Sequence, residues 1–281
     1  MALPGSNQDG ISRERHSALL PGGGGVSTVP ETETVDTSDE EYLFDKGYFC
    51  PVCDSSFTSL TVLSGKAGTE STDIDLRVRF RNVDLNKYRI VQCTRCGYTA
   101  MDSDFNRLMP REAKALHGQL MAAEHKGIVE TYSVRSYEDA FRLYRAALRC
   151  SMIKGGKKSE RAGIALFTAF LLRAWREHFV ENGNARMIPE SASKASENKY
   201  LGFALEYFTE ARQSEDFPIR NMNESTLDYL LAALQFETGN EKEAMRYLSN
   251  VLRTRSSNSG IRRMAEDLRD LIRENQAKAQ E

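Results

Sequence analysis

The chain has 281 residues, of which 40% are hydrophobic and 28% charged, with a net charge of −2. That length allows two modest domains or one elongated one, and the composition is that of a soluble globular protein. The longest uncharged apolar run, residues 162–172, is too short to span a bilayer, which excludes a membrane-spanning helix.

Charge is unevenly placed. Residues 1–45 hold two basic and nine acidic residues, leaving 36 basic and 31 acidic for the remainder. The first 40 residues carry a Pro21-Gly22-Gly23-Gly24-Gly25 run and a Ser/Thr/Glu/Asp-rich stretch with few large apolar side chains. This composition predicts a disordered acidic tail, a solvated extension rather than a docking arm.

Residues 41–104 read as a small β module. Ile74, Leu76, Val78 and Phe80 alternate with Asp75, Arg77, Arg79 and Arg81, which predicts a half-buried strand with a solvated arginine face. Leu60 with Val62, and Tyr88 to Val91, give two further short alternations. The module also holds Cys50-Pro-Val-Cys53 and Cys93-Thr-Arg-Cys96. Two Cys-x-x-Cys turns each present an adjacent pair of sulfurs, and four sulfurs at tetrahedral corners are what a structural Zn²⁺ takes.

The competing reading is redox dithiols or disulfides. Residues 1–25 lack an apolar core behind a basic start, so the chain is expected in the cytoplasm, where structural disulfides are rare. A redox Cys-x-x-Cys opens a helix, whereas both pairs here lie in turn-rich segments. Asp54 and Gly97, next after each second cysteine, suit the left-handed turn of a metal knuckle. One zinc per chain on Cys50, Cys53, Cys93 and Cys96 is therefore expected, and a module this small should depend on it to fold. Cys150, alone in an apolar helical pattern, reads as a buried hydrophobe.

From residue 105 the period is helical to the end. Seven helices are predicted, over 108–126, 136–153, 159–179, 195–213, 225–238, 241–254 and 258–277. Ser136 with Asp139, Ser225 with Asp228, and Asn240 with Glu243 mark starts. The helix holding Ile164, Leu166, Phe167, Phe170, Leu171 and Trp175 is apolar almost all round and should be the centre of the array. Leu231-Ala232, Gly239, Ala244 and Leu248 outline a helical hairpin that resembles the tetratricopeptide repeat, although Gln235 stands where an aromatic is expected. The fold class read from the sequence is α+β, mainly α: a zinc-ribbon-like antiparallel β module followed by a tetratricopeptide-like helical array over 105–281.

Cys50-Pro-Val-Cys53, the Asp73 to Phe80 stretch, Tyr88 to Ala100 with its Cys-x-x-Cys-Gly-Tyr, Ala174-Trp175, and Leu227 to Val251 together resemble an uncharacterised bacterial family, the domain of unknown function 2225 group. The resemblance covers about residues 43–276 and implies a metal site on the same four cysteines followed by tetratricopeptide-like helices. Thr94 departs from it, since the family usually has proline there. The family has no established activity, so the resemblance implies architecture only.

Catalytic motifs are missing from the sequence. The Gly22–Gly25 run is not followed by Lys-Ser/Thr, and there is no His-Glu-x-x-His and no Gly-x-Ser-x-Gly. His16, His117, His125 and His178 are scattered, and a four-cysteine zinc has no open position for water. A non-enzymatic interaction protein with a protein or peptide partner is expected. Arg142, Arg145 and Arg149 fall at i, i+3, i+7 and form one positive stripe suited to an acidic segment. The alternative is a nucleic-acid-binding zinc ribbon: residues 142–176 hold nine basic residues against one acidic one, although a pI near 6.2 argues against it.

Overall fold

The structure is a computed structural model and describes residues 37–122, 134–254 and 258–278. The tail expected to be disordered lies almost wholly outside these residues, as does His125. The fold is α+β and mainly α. Its β part consists of three antiparallel two-stranded ladders. Strand β1 (Leu43–Phe49) pairs with β2 (Ser56–Val62) from Leu43↔Val62 to Phe49↔Ser56. Strand β3 (Thr69–Thr72) pairs with β4 (Val78–Phe80), and β5 (Ile90–Gln92) pairs with β6 (Thr99–Met101).

The described helices are α1 (Pro110–Ala122), α2 (Tyr137–Ile153), α3 (Lys158–Glu181), α4 (Lys194–Ser214), α5 (Glu224–Glu237), α6 (Glu241–Arg253) and α7 (Ser259–Lys278). Each packs against the next. The central position expected for the apolar helix is correct: α3 buries residues 162–166 and 168–175, and contributes to three separate apolar clusters. In the α5–α6 hairpin Ala232 and Ala244 are fully buried, so the two backbones approach closely. Gly239, at φ 83°, closes α5 with its N–H on Phe236 O at 2.9 Å, while Asn240 N–H reaches Gln235 O at 2.7 Å.

The predicted strand over Ile74 to Arg81 is corrected. Only Val78–Phe80 is strand, and Asp73 to Arg77 is a tight turn, with Asp73 N–H on Arg77 O at 2.8 Å and Leu76 at φ 67°. This turn seats on the helices. Ile74 and Leu76 pack against the α3–α7 core, and Tyr229 of α5 donates to Ile74 O at 2.7 Å. The arginine face is solvated only in part, with Arg81 exposed and Arg79 half-buried. Arg77 is 5% exposed and donates to both oxygens of Glu177 on α3, and Arg79 joins the same carboxylate at 3.0 Å. Long-range carboxylates, invisible to a local pattern, satisfy these charges.

A division of the chain between residues 104 and 105 would give the β part and the helices separate cores. Instead they share them: Ile90 and Met101 cluster with Leu143, Tyr144 and Leu171, while the cysteine turns cluster with Leu116 and Leu120. Buried Arg135 stitches the join, donating to Lys87 O, Ile90 O and Ser59 Oγ at 3.2, 2.9 and 2.8 Å.

Candidate metal centre

Two ladders present the cysteines, and each is capped by a turn of the same construction. At the tip of β1–β2, Cys50 N–H donates to Ser55 O at 2.9 Å and Asp54 N–H to Cys50 O at 3.0 Å, with Asp54 at φ 56°. At the tip of β5–β6, Cys93 N–H donates to Tyr98 O at 2.8 Å and Gly97 N–H to Cys93 O at 2.9 Å, with Gly97 at φ 77°. Position five of each turn is left-handed, which glycine adopts freely and aspartate at a modest cost. The departure at Thr94 leaves this geometry intact.

The two turns face each other. Cys50 Sγ lies 3.6 Å from Cys96 Sγ, and Cys53 Sγ lies 3.6 Å from Cys93 Sγ. All four sulfurs fall within 4.8 Å of one another. A tetrahedral ion with metal–sulfur bonds of about 2.3 Å sets its sulfurs about 3.8 Å apart. Disulfides are excluded as the observed state, since sulfurs bonded to each other stand at about 2.05 Å, and all four cysteines are free. The donor set fits a four-coordinate ion, so the cluster can hold a metal.

Cys50, Cys93 and Cys96 are completely buried, and Cys53 reaches the boundary. Ser55 Oγ lies 3.1 Å from Cys53 Sγ and 3.4 Å from Cys93 Sγ, and Tyr98 N–H points at Cys96 Sγ at 3.4 Å. These groups favour negative charge on sulfur. Hydrogen bonds from Cys50 and Cys96 hold the Cys93 thiol far below the ordinary range despite its burial, while the shared proton pushes Cys50 and Cys96 up. Within the cluster Cys93 is thus the sulfur set to carry thiolate.

Around the sulfurs stands an aromatic wall. Tyr48 stacks on Phe57, and Phe105 meets the rings of Tyr48, Phe57 and Tyr98. The second turn also rests on α2, where the Cys150 thiol faces Gly97 O at 4.0 Å. Sequence reasoning identified Cys150 as buried but missed that it supports the site, because nothing local links positions 97 and 150.

The arginine stripe lies elsewhere on α2. Arg142, Arg145 and Arg149 are all exposed on the helix face opposite Cys150 and Ala147. Arg142 pairs with Glu138 at 3.0 Å, and Arg145 lies over the Phe141 ring at 5.8 Å. The larger basic group of residues 142–176 does not stay available. Lys154 pairs with Glu160, Lys158 with Glu210, and Arg176 with Glu197, while Arg173 is buried among Asp75 and Glu197. His117 is exposed on α1, and His178 packs on the Tyr137 ring.

Residues 43–276 match the model of a family described as an uncharacterised protein conserved in bacteria, domain of unknown function 2225. The chain belongs to this family. The match takes in both cysteine turns and all seven described helices almost to the end of α7. No curated protein and no solved structure matches the chain. Among the described residues, no helix of this family member is long and apolar enough to cross a membrane.

Proposed function

We propose that this protein is a non-enzymatic interaction protein in which a structural zinc braces a helical surface that binds a protein or peptide partner. One observation carries the reading: four sulfurs close around a single point, three of them fully buried, on two turns of matching construction. An ion bound by four thiolates has no open position, so it cannot activate water or polarise a substrate. Its effect is mechanical. It ties residues 50–53 to residues 93–96 and fixes the floor beneath α2, the helix whose outer face carries Arg142, Arg145 and Arg149.

Tetratricopeptide-like stacking of the helix pairs is part of this reading, supported by the α5–α6 hairpin with its paired alanines and left-handed Gly239. An acidic segment suits the arginine stripe, since guanidinium forks take carboxylates in pairs. The nucleic-acid alternative loses support from the ion pairs at Lys154, Lys158, Arg173 and Arg176, which remove four of the nine basic residues from a phosphate-tracking surface.

Metal analysis of the purified protein tests the first half: one zinc per chain is expected, and bound iron or a metal-free folded protein would overturn it. Affinity capture with and without nuclease tests the second. The double variant Arg142→Glu, Arg145→Glu should lose the main protein partner with zinc content and helix content unchanged. Partners that survive the reversal, or that vanish from the wild type on nuclease treatment, would defeat the peptide reading.

A further inference from the structure

A cavity of about 750 Å³ opens between the β6 end of the β part, the first half of α3 and the α4–α5 connection, with no cysteine among its lining residues. That volume lies in the range of small-molecule sites. Its α3 wall is formed by Gly163, Leu166, Phe167 and Phe170, which share one helix face at i, i+3, i+4 and i+7 spacing, and Leu230 of α5 extends the apolar floor.

Arg89 enters this cavity with its orientation already fixed. Its Nε–H donates to Asn86 Oδ1 at 3.0 Å, and its guanidinium lies over the Phe167 ring with 4.3 Å to the centroid. Its two terminal nitrogens have no hydrogen-bond partner among the described residues. No carboxylate lies within ion-pair distance of it either; Asp84 is close enough only to feel its field. A planar fork held on one edge and one face, with the other edge open, is the geometry that takes a carboxylate in two parallel hydrogen bonds.

The other charges at the cavity are already committed. Asp104 holds Arg220 at 2.5 Å, Glu160 holds Lys154 at 3.0 Å, and Glu215 accepts from Ser159 N–H and Oγ–H at 2.9 and 2.6 Å. Glu112 accepts from Met109 N–H. Arg107 and Lys157 at the rim pair with no carboxylate among the described residues, and Asp216 is the one lining acid left uncommitted. Glu112 and Glu215 keep their negative charge while accepting from neutral donors, so the five lining cations and five lining acids balance overall, and the positive charge over the apolar floor is that of Arg89. Gly163 contributes by omission, since a Cβ there would stand 3.1 Å from Arg220 Nε, and that side chain would have to give way by a few tenths of an ångström.

We propose that this cavity binds a small amphiphilic carboxylate, an acyl or aryl chain ending in a carboxylate, with Arg89 receiving the head group and the Phe167, Phe170 and Leu230 floor receiving the apolar body. Calorimetric titration of the zinc-loaded full-length protein with decanoate, decanol and decyl phosphate tests it. Decanoate should bind saturably at one per chain, at least tenfold tighter than decanol. Arg89→Gln should weaken decanoate at least tenfold and leave decanol unchanged, since a charge-assisted pair is worth about that factor. Filling the site with Met222→Trp should weaken both. Equal affinity for decanoate and decanol in the wild type would overturn the proposal without any variant. Tighter binding of decyl phosphate would overturn the carboxylate assignment, and unchanged affinity in a folded Arg89→Gln protein would remove Arg89 from the site. None of these outcomes depends on the zinc or the arginine stripe.

Discussion

Glu197 shows how a single residue locks one helix to another, here α4 to α3. It is fully buried at the start of α4 and accepts from Arg173 Nε at 2.7 Å, Arg176 Nη2 at 2.5 Å and Lys194 Nζ at 3.0 Å. Burial alone would raise its pKa, but Arg173, Lys194 and Arg176 outweigh burial and hold it below the ordinary 4.5. A carboxyl held down in the folded state stabilises above its unfolded value and loses that contribution as pH falls through the folded value. Glu197→Gln should therefore cost about 3 kcal/mol at neutral pH, the order found when one member of a buried pair is removed. In denaturant titrations the gap from wild type should narrow as pH drops below 4.5. A gap constant down to strongly acidic pH would contradict the assignment. Asp75 runs the other way: burial pushes its carboxyl up against the pull of Arg173, so Asp75→Asn should cost less. The four cysteines were legible because Cys-x-x-Cys encodes its own turn. Glu197 was not, since its partners lie on another helix and its sequence neighbours give no sign of burial.

Among the elements, helices were readable to within a few residues because apolar spacing and caps are local. Ser136 caps α2 as its pattern implies, accepting from Asp139 N–H at 3.0 Å and donating to Asp139 Oδ2 at 2.8 Å. The other two starts differ in their chemistry. The cap of α5 is Asn223, which accepts from Thr226 N–H at 2.9 Å, so Ser225 already lies inside the helix. Asn240 precedes α6 without a side-chain cap bond. Ser136→Ala should therefore lower stability by about 1 kcal/mol, and Asn223→Ala by a similar amount, while Asn240→Ala should change it little. Thermal melts of the three variants would separate the assignments, and equal losses at Ser136 and Asn240 would show that the cap geometry was misjudged. The Ile74 to Phe80 alternation failed as a strand signal for an instructive reason. A period of two marks which side chains are buried, but here the apolar and the charged sets are both buried: Ile74 and Leu76 against the helical core, Asp75 and Arg77 against α3 residues about a hundred positions away.

At the scale of the whole molecule, shared clusters change what losing the metal should do. If the β part had its own core, removing one sulfur would melt it and spare the helices. The cysteine turns instead pack with Leu116, Leu120 and Cys150, while β5 and β6 pack with Leu143, Tyr144 and Leu171, so no apolar boundary divides the β part from the α2–α3 pair. The Asp73 to Arg77 turn adds buried ion pairs to α3 in the same direction. Elements that share cores unfold together. Trp175, the single tryptophan, sits 3% exposed against Tyr137 in an apolar cluster of residues from α2, α3, α4 and the α3–α4 connection, and so reports on the helical part. On heating, Trp175 fluorescence and release of bound metal should share one midpoint. Cys96→Ser, which replaces a buried thiolate by a poor ligand, should lower both together by several kcal/mol of stability, because metal binding energy is folding energy for the turns it joins. Fluorescence that stays native after the metal has gone would show that the helices stand on their own, and that the contacts between β5, β6 and α2 contribute less than their burial implies.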